Sequence, residues 1–89
     1  MDETKFNSLL EEGSEARDFK AEGCPFLAGL QIMVKYLPTE RLLQAAEHDI
    51  VYGPNRAQLI TAGITEDDVR ALGRLGWFSD ENDGVAHYV

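Results

Sequence analysis

Apolar residues along this chain fall into four groups with different spacing, and the spacing predicts the elements. Phe6, Leu9 and Leu10, followed by Ala16 and Phe19, form a loose helical stripe interrupted at Gly13. Ser14 fits as the cap of a second short helix, with Glu15 in its first turn. Residues 1–23 therefore read as a loosely packed helical arm, mobile or docked on a partner. Phe26, Leu30, Met33, Val34 and Leu37 then recur at helical spacing behind Pro25, which suits a first helical position. Pro38 ends that helix, because the residue before a proline is displaced from the α region. Thr39, Glu40 and the Leu42–Leu43 pair suggest one more helical turn.

From residue 46 the period changes. Residues 46–53 contain Ile50, Val51 and Tyr52 and read as a strand closed by the turn signal Gly53-Pro54-Asn55. On one continuous strand His48, Ile50 and Tyr52 would share a face, with Asp49 and Val51 on the other. Residues 54–63 are expected to connect, with a helical turn around Leu59.

The last part is the most explicit. Thr65 is a helix cap, with Glu66, Asp67 and Asp68 at the positive end of the dipole. Asp68 stands where a capping-box partner would, and Ile64 with Val69 makes a hydrophobic staple. Val69, Leu72 and Leu75 give the buried face. Gly76 is placed to end the helix in the left-handed conformation, with Trp77 packing back on Leu72. Trp77-Phe78-Ser79 and Val85–Val89, around the loop at 80–84, predict a β-hairpin. The fold expected is α+β: N-terminal helices followed by a β-α-β-β unit with a small antiparallel sheet, in a single domain spanning 1–89.

Composition sharpens this picture by exclusion. At 89 residues there is material for one core, and association with a second copy or another protein is a natural way to bury more surface. Sixteen acidic side chains against eight basic ones give a formal charge of −8, which disfavours direct contact with nucleic acid or anionic lipid. The apolar runs fall far short of the roughly 20 residues needed to span a bilayer. The start, Met1-Asp2-Glu3-Thr4-Lys5, lacks a signal-peptide pattern, so a cytoplasmic location is expected. A lone cysteine, Cys24, excludes an internal disulfide and a paired-cysteine zinc site.

Candidate chemistry is thin. Counting from Ser79, Gly84 takes the sixth position of a calcium loop, but the twelfth would fall beyond Val89, so the acidic stretch reads as a turn. His48, Asp49 and His87 are the weak candidates for a metal-dependent enzyme, should their strands be neighbours. Glu47 beside His48 is no acid–base pair on a strand, since adjacent side chains point apart. Cys24 precedes a helix start but lacks a resolving cysteine or a nearby histidine. No phosphate loop, dinucleotide fingerprint or nucleophile elbow occurs, and no cofactor is expected.

The aromatic set Trp77, Phe78, Tyr88 and Tyr52 is different. Trp77 and Phe78 are adjacent on a strand and cannot both enter one core, so one is expected either at an interface or beneath the N-terminal arm.

Segments 47–52 and 75–81, with the ending Ala86-His87-Tyr88-Val89, resemble small acidic proteins encoded by bacteriophages and prophages. The resemblance covers the C-terminal half and implies a phage or bacterial accessory protein, with no activity to transfer. The function expected is thus a non-enzymatic protein–protein interaction module, as a homodimer or on a protein partner. An acidic inhibitor imitating nucleic acid is the second reading, and the metal-dependent enzyme is the third.

Overall fold

The computed structural model of the protein describes residues 1–16 and 23–88. Phe19 and Val89, named above for the helical arm and the final strand, lie outside the described residues. The elements are α1 (Glu3–Glu15), α2 (Pro25–Tyr36), β1 (Ala45–Glu47), β2 (Ile50–Asn55), α3 (Arg56–Thr61), α4 (Glu66–Arg74), β3 (Phe78–Ser79) and β4 (Gly84–Tyr88). The four strands form one antiparallel sheet in the order β1-β2-β4-β3. Among the described residues, helices pack on one of its faces and none covers the other. The α+β class is as expected from the sequence, and several local readings change.

The N-terminal helix is no loose arm. Asp2 caps it, its Oδ1 accepting from Lys5 N at 2.8 Å, and Phe6, Leu9 and Leu10 are buried in the main core. The helix runs through Gly13 and Ser14, so Ser14 caps nothing. Gly13 is a contact residue. A Cβ there would lie 2.0 Å from Arg70 O, and one at Gly73 would lie 2.1 Å from Leu10 O. Two glycines facing each other let the α1 and α4 backbones touch, which offsets the poor helix propensity of glycine at these positions.

The strand expected at 46–53 is instead a hairpin. Glu47 pairs with Ile50, leaving His48 and Asp49 as a two-residue turn, and His48 adopts the left-handed φ of 56° that such a turn requires. β2 then continues past the proposed stop. The pairs Tyr52–Ala86 and Asn55–Gly84 leave one extra residue on β2, a bulge at Gly53-Pro54, and α3 begins at once. The order from residue 45 is therefore β-β-α-α-β-β, richer than the β-α-β-β reading. Residues 38–40 form a turn, and no helix forms over Thr39–Leu43.

The α4 region matches its expectation closely. Thr65 Oγ1 accepts from Asp68 N at 3.2 Å. Ile64 and Val69 are both buried, consistent with the staple. At the other end Trp77 N donates to Leu72 O and Gly76 N to Gly73 O, each at 3.0 Å, with Gly76 at φ 93°. This double bond pattern is the Schellman ending, and it turns Trp77 into the core.

Candidate functional site

The sheet sorts its side chains by register. Residues directly opposite one another in an antiparallel ladder share a face, and successive residues alternate. Val85 and His87 of β4 point toward the helices. Val85 is fully buried, and His87 packs at 5.2 Å and 5.5 Å ring separation from Trp77 and Phe26. Ala86 and Tyr88 take the opposite face. Through the pairs Phe78–Ala86, Tyr52–Ala86 and Ile50–Tyr88, that face also holds Phe78, Tyr52 and Ile50.

Trp77 and Phe78 thus separate as adjacent residues must. Trp77 is fully buried and stacks on Phe26 at 5.6 Å, so it is a core residue with no surface to offer. Phe78 lies on the open face and stacks on Tyr88 at 5.0 Å with an interplanar angle of 29°. Tyr88 is 60% exposed. Three of the four aromatic residues singled out in the sequence therefore form one surface, with buried Ala86 as its floor.

Carboxylates flank this surface beside Tyr52, where Glu47, Asp80 and Glu81 line its hollows. Partial burial, and then the negative charges of Glu47, Asp80 and Glu81, push the Tyr52 phenol above its ordinary pKa. Two hollows flank Tyr52. One, of about 530 Å³, is lined by Gln44, Glu47, Tyr52, Gln58, Asp80 and Asn82 among others. The other, of about 300 Å³, lies against Ile50, Phe78 and Glu81. The segments that build the sheet and its loop, 44–55 and 78–88, contain Glu47, Asp49, Asp80, Glu81 and Asp83 and no lysine or arginine.

The acidic loop has a structural role that its composition did not reveal. Arg56, the only lysine or arginine between Arg41 and Arg70, has a side chain only 8% exposed. Its Nη1 donates to Gly84 O at 2.6 Å and to Asp80 O at 3.2 Å, and its backbone N–H donates to Asp83 O at 2.9 Å. Glu3 and Asp83 carboxylates lie 3.5 Å and 3.7 Å from the guanidinium. Asp80 Oδ1 meanwhile accepts from Asn82 N and Gly84 N, which shapes the turn. The loop is a guanidinium cradle, and its conformation is set from the helix side. An isolated arginine at a helix start, remote in sequence from an acidic loop, was the signal that could have found it.

The metal reading is not supported by this geometry. His48 is exposed in the β1–β2 turn with Asp49, whereas His87 is buried beneath the helices. Both ring nitrogens of His87 meet backbone carbonyls, Nε2 at 2.8 Å from Leu75 O and Nδ1 at 2.5 Å from Tyr88 O. The three residues do not converge. Among the described residues no group of three or more histidine, cysteine, aspartate or glutamate side chains could hold a metal ion. Cys24 is exposed at the N-cap of α2 without a side-chain capping bond.

Elsewhere, Arg70 and Lys35 organise ion pairs on the helical side. Arg70 reaches Glu12 at 3.2 Å, Asp67 at 3.1 Å and Glu66 at 3.6 Å. Asp68 does not close the capping box itself. Its Oδ2 accepts from the Tyr36 hydroxyl and from Lys35 Nζ, while the Thr65 N–H donates to that same hydroxyl at 3.4 Å. The tyrosine hydrogen bond, helped by Lys35 and opposed by burial, holds the Asp68 carboxyl below its usual range.

No described helix is long and apolar enough to cross a membrane. No protein family model, curated protein or solved structure matches the chain.

Proposed function

We propose that this chain is a non-enzymatic protein-interaction module whose docking surface is the open face of the sheet, around Tyr52, Phe78 and Tyr88. The observation that carries this reading is the convergence of those aromatic side chains on one uncovered face. Aromatic residues are enriched where protein partners meet, because they bury large areas at small entropic cost. Trp77, spent in the core, has no direct part in docking. A role as a bacterial or bacteriophage accessory protein rests on the resemblance of the C-terminal segments alone.

The nucleic-acid mimic draws on the same carboxylates but fits the surface less well. A phosphate imitation needs an array of charges, and here charge forms the rim of an apolar centre. Several further carboxylates are consumed by Arg70, Lys35 and Arg56.

A photo-activated cross-linker placed at Tyr88, with a control at exposed Gln31 on α2, tests the reading in cells that express the protein. The expected result is one discrete adduct at 88 and none at 31, with mass spectrometry separating a second copy from another protein. The captured protein, purified, should then bind the full chain and fail to bind Tyr88→Asp. The same adduct pattern at both positions, or none at 88, would remove the reading.

A further inference from the structure

The proposed docking surface has a charge pattern that selects its occupant. A second copy placed face to face would bring two carboxylate rims together around two apolar centres, with no lysine or arginine from segments 44–55 or 78–88 to relieve them. Like charges brought together at an interface disfavour pairing by amounts that apolar burial must overcome. Self-association through this face is therefore opposed by its own electrostatics.

A cation is suited to the same place. Glu47 and Asp80 line the hollow of about 530 Å³ beside the Tyr52 ring, and side-chain amides of Gln44, Gln58 and Asn82 complete its wall. Carboxylates accept from a guanidinium through paired, charge-assisted hydrogen bonds, and a tyrosine ring face attracts the same group. Immediately beyond Tyr52, the apolar patch of Ile50, Phe78 and Tyr88 is continuous with this hollow. The combination is a socket for a cation beside a shelf for an aliphatic or aromatic neighbour.

Resting on the docking reading above, we infer that the open sheet face binds a basic segment of another protein, an arginine entering the hollow between Glu47, Tyr52 and Asp80 while apolar side chains cover Phe78 and Tyr88. The partner is thus a protein with interleaved basic and apolar residues. It is neither the same face of a second copy nor an anion.

Fluorescence anisotropy with the full chain tests this, using a labelled peptide of alternating leucine and arginine and its glutamine-for-arginine counterpart. The arginine peptide should bind about tenfold more tightly than the glutamine peptide at physiological salt. Glu47→Gln combined with Glu81→Gln should weaken it by about fivefold or more, and Tyr88→Ala by about threefold. Glu15→Gln combined with Glu66→Gln removes the same charge from helical surface and should change affinity by less than about twofold. Equal losses in both double variants, or no effect of Tyr88→Ala, would show diffuse attraction to an acidic protein and overturn the inference. If both peptides bind alike and depend on Tyr88, the face docks proteins without selecting a cation: the inference falls and the docking reading stands. If neither peptide binds, the inference falls, and the cross-link at 88 decides the docking reading separately.

Discussion

The two faces of one four-stranded sheet differ in almost every physical respect. Against the helices lie Val85, His87 and Trp77, buried with Phe6, Met33, Leu59 and Leu72 and fixed in place by backbone contacts. There Gly29 and Gly53 press directly on the indole, a Cβ at Gly29 falling 1.9 Å from its Nε1. On the outer face Phe78 stacks on the solvent-exposed Tyr88, and Tyr52 lies across Ala86 from Phe78, beside the carboxylates of Glu47, Asp80 and Glu81. Alternation along β4 places Val85 and His87 on one side and Ala86 and Tyr88 on the other within five residues. Aromatic content alone therefore says nothing about role. What separates core from outer face is which side of the pleat a residue occupies, and that is settled by register.

This contrast can be broken most severely at Trp77. Trp77→Ala opens a cavity beneath Phe26, Gly29 and His87 and should cost about 3–5 kcal/mol. For a domain of this size each kcal/mol lowers Tm by roughly 4–8 °C, so calorimetry should show a collapse of tens of degrees or no folded protein. Survival of near-native stability would mean that the indole is not the core element described.

A smaller effect is expected where the two regions are joined. Arg56→Met keeps the aliphatic packing but strips Gly84 O and Asp80 O of their buried donor, at about 1–3 kcal/mol. Amide exchange at 80–84 should accelerate more than the global loss explains, because the cradle holds that loop in particular. Uniform acceleration across the chain would contradict a local role.

Acid should weaken the helical side through Asp68. Its carboxyl pKa is held below the unfolded value of about 3.9, so its contribution is fully present above that pH. The contribution is lost as pH falls through the lower folded value. Asp68→Asn should therefore reduce stability at neutral pH, by about 1 kcal/mol, and flatten the acid limb of the stability profile below about pH 4. An unchanged profile in denaturant titrations would remove Asp68 from the account.

The smallest stability effect belongs to the outer face. Tyr88→Ala should shift unfolding by no more than about 0.5 kcal/mol, the ordinary range for an exposed position. A loss comparable with that of Trp77→Ala would make the outer face structural and erase the distinction.

Much of the helical side was legible because its signals are local. Thr65, the acidic first turn, Gly76 and Trp77 lie within thirteen residues and act through hydrogen bonds along the chain. The separation of Trp77 from Phe78 also followed from strand alternation, and the helix ending read at Gly76 already turned Trp77 back toward Leu72. Three features required contacts distant in sequence. Gly13 looked like a break until Gly73 was found against α1. The hairpin at His48-Asp49 was hidden because the turn contains no glycine, and Asn-Gly or Asp-Gly at that place would have announced it. Arg56 meets the acidic loop across 24 to 28 residues, and its isolation in the sequence hints at a buried partner without saying which one. For the candidate site, residue types were visible and their convergence was not, since it depends on the β2–β4 register.

The most direct test is hydroxyl-radical footprinting of the chain free and bound to the partner captured through position 88. The account predicts that Tyr52, Phe78 and Tyr88 lose reactivity on binding, that Trp77 is unreactive in both states, and that Leu27 and Val34, exposed on α2, are unchanged. Protection of Leu27 and Val34, with the outer sheet face as reactive as before, would contradict it and move the interface to α2.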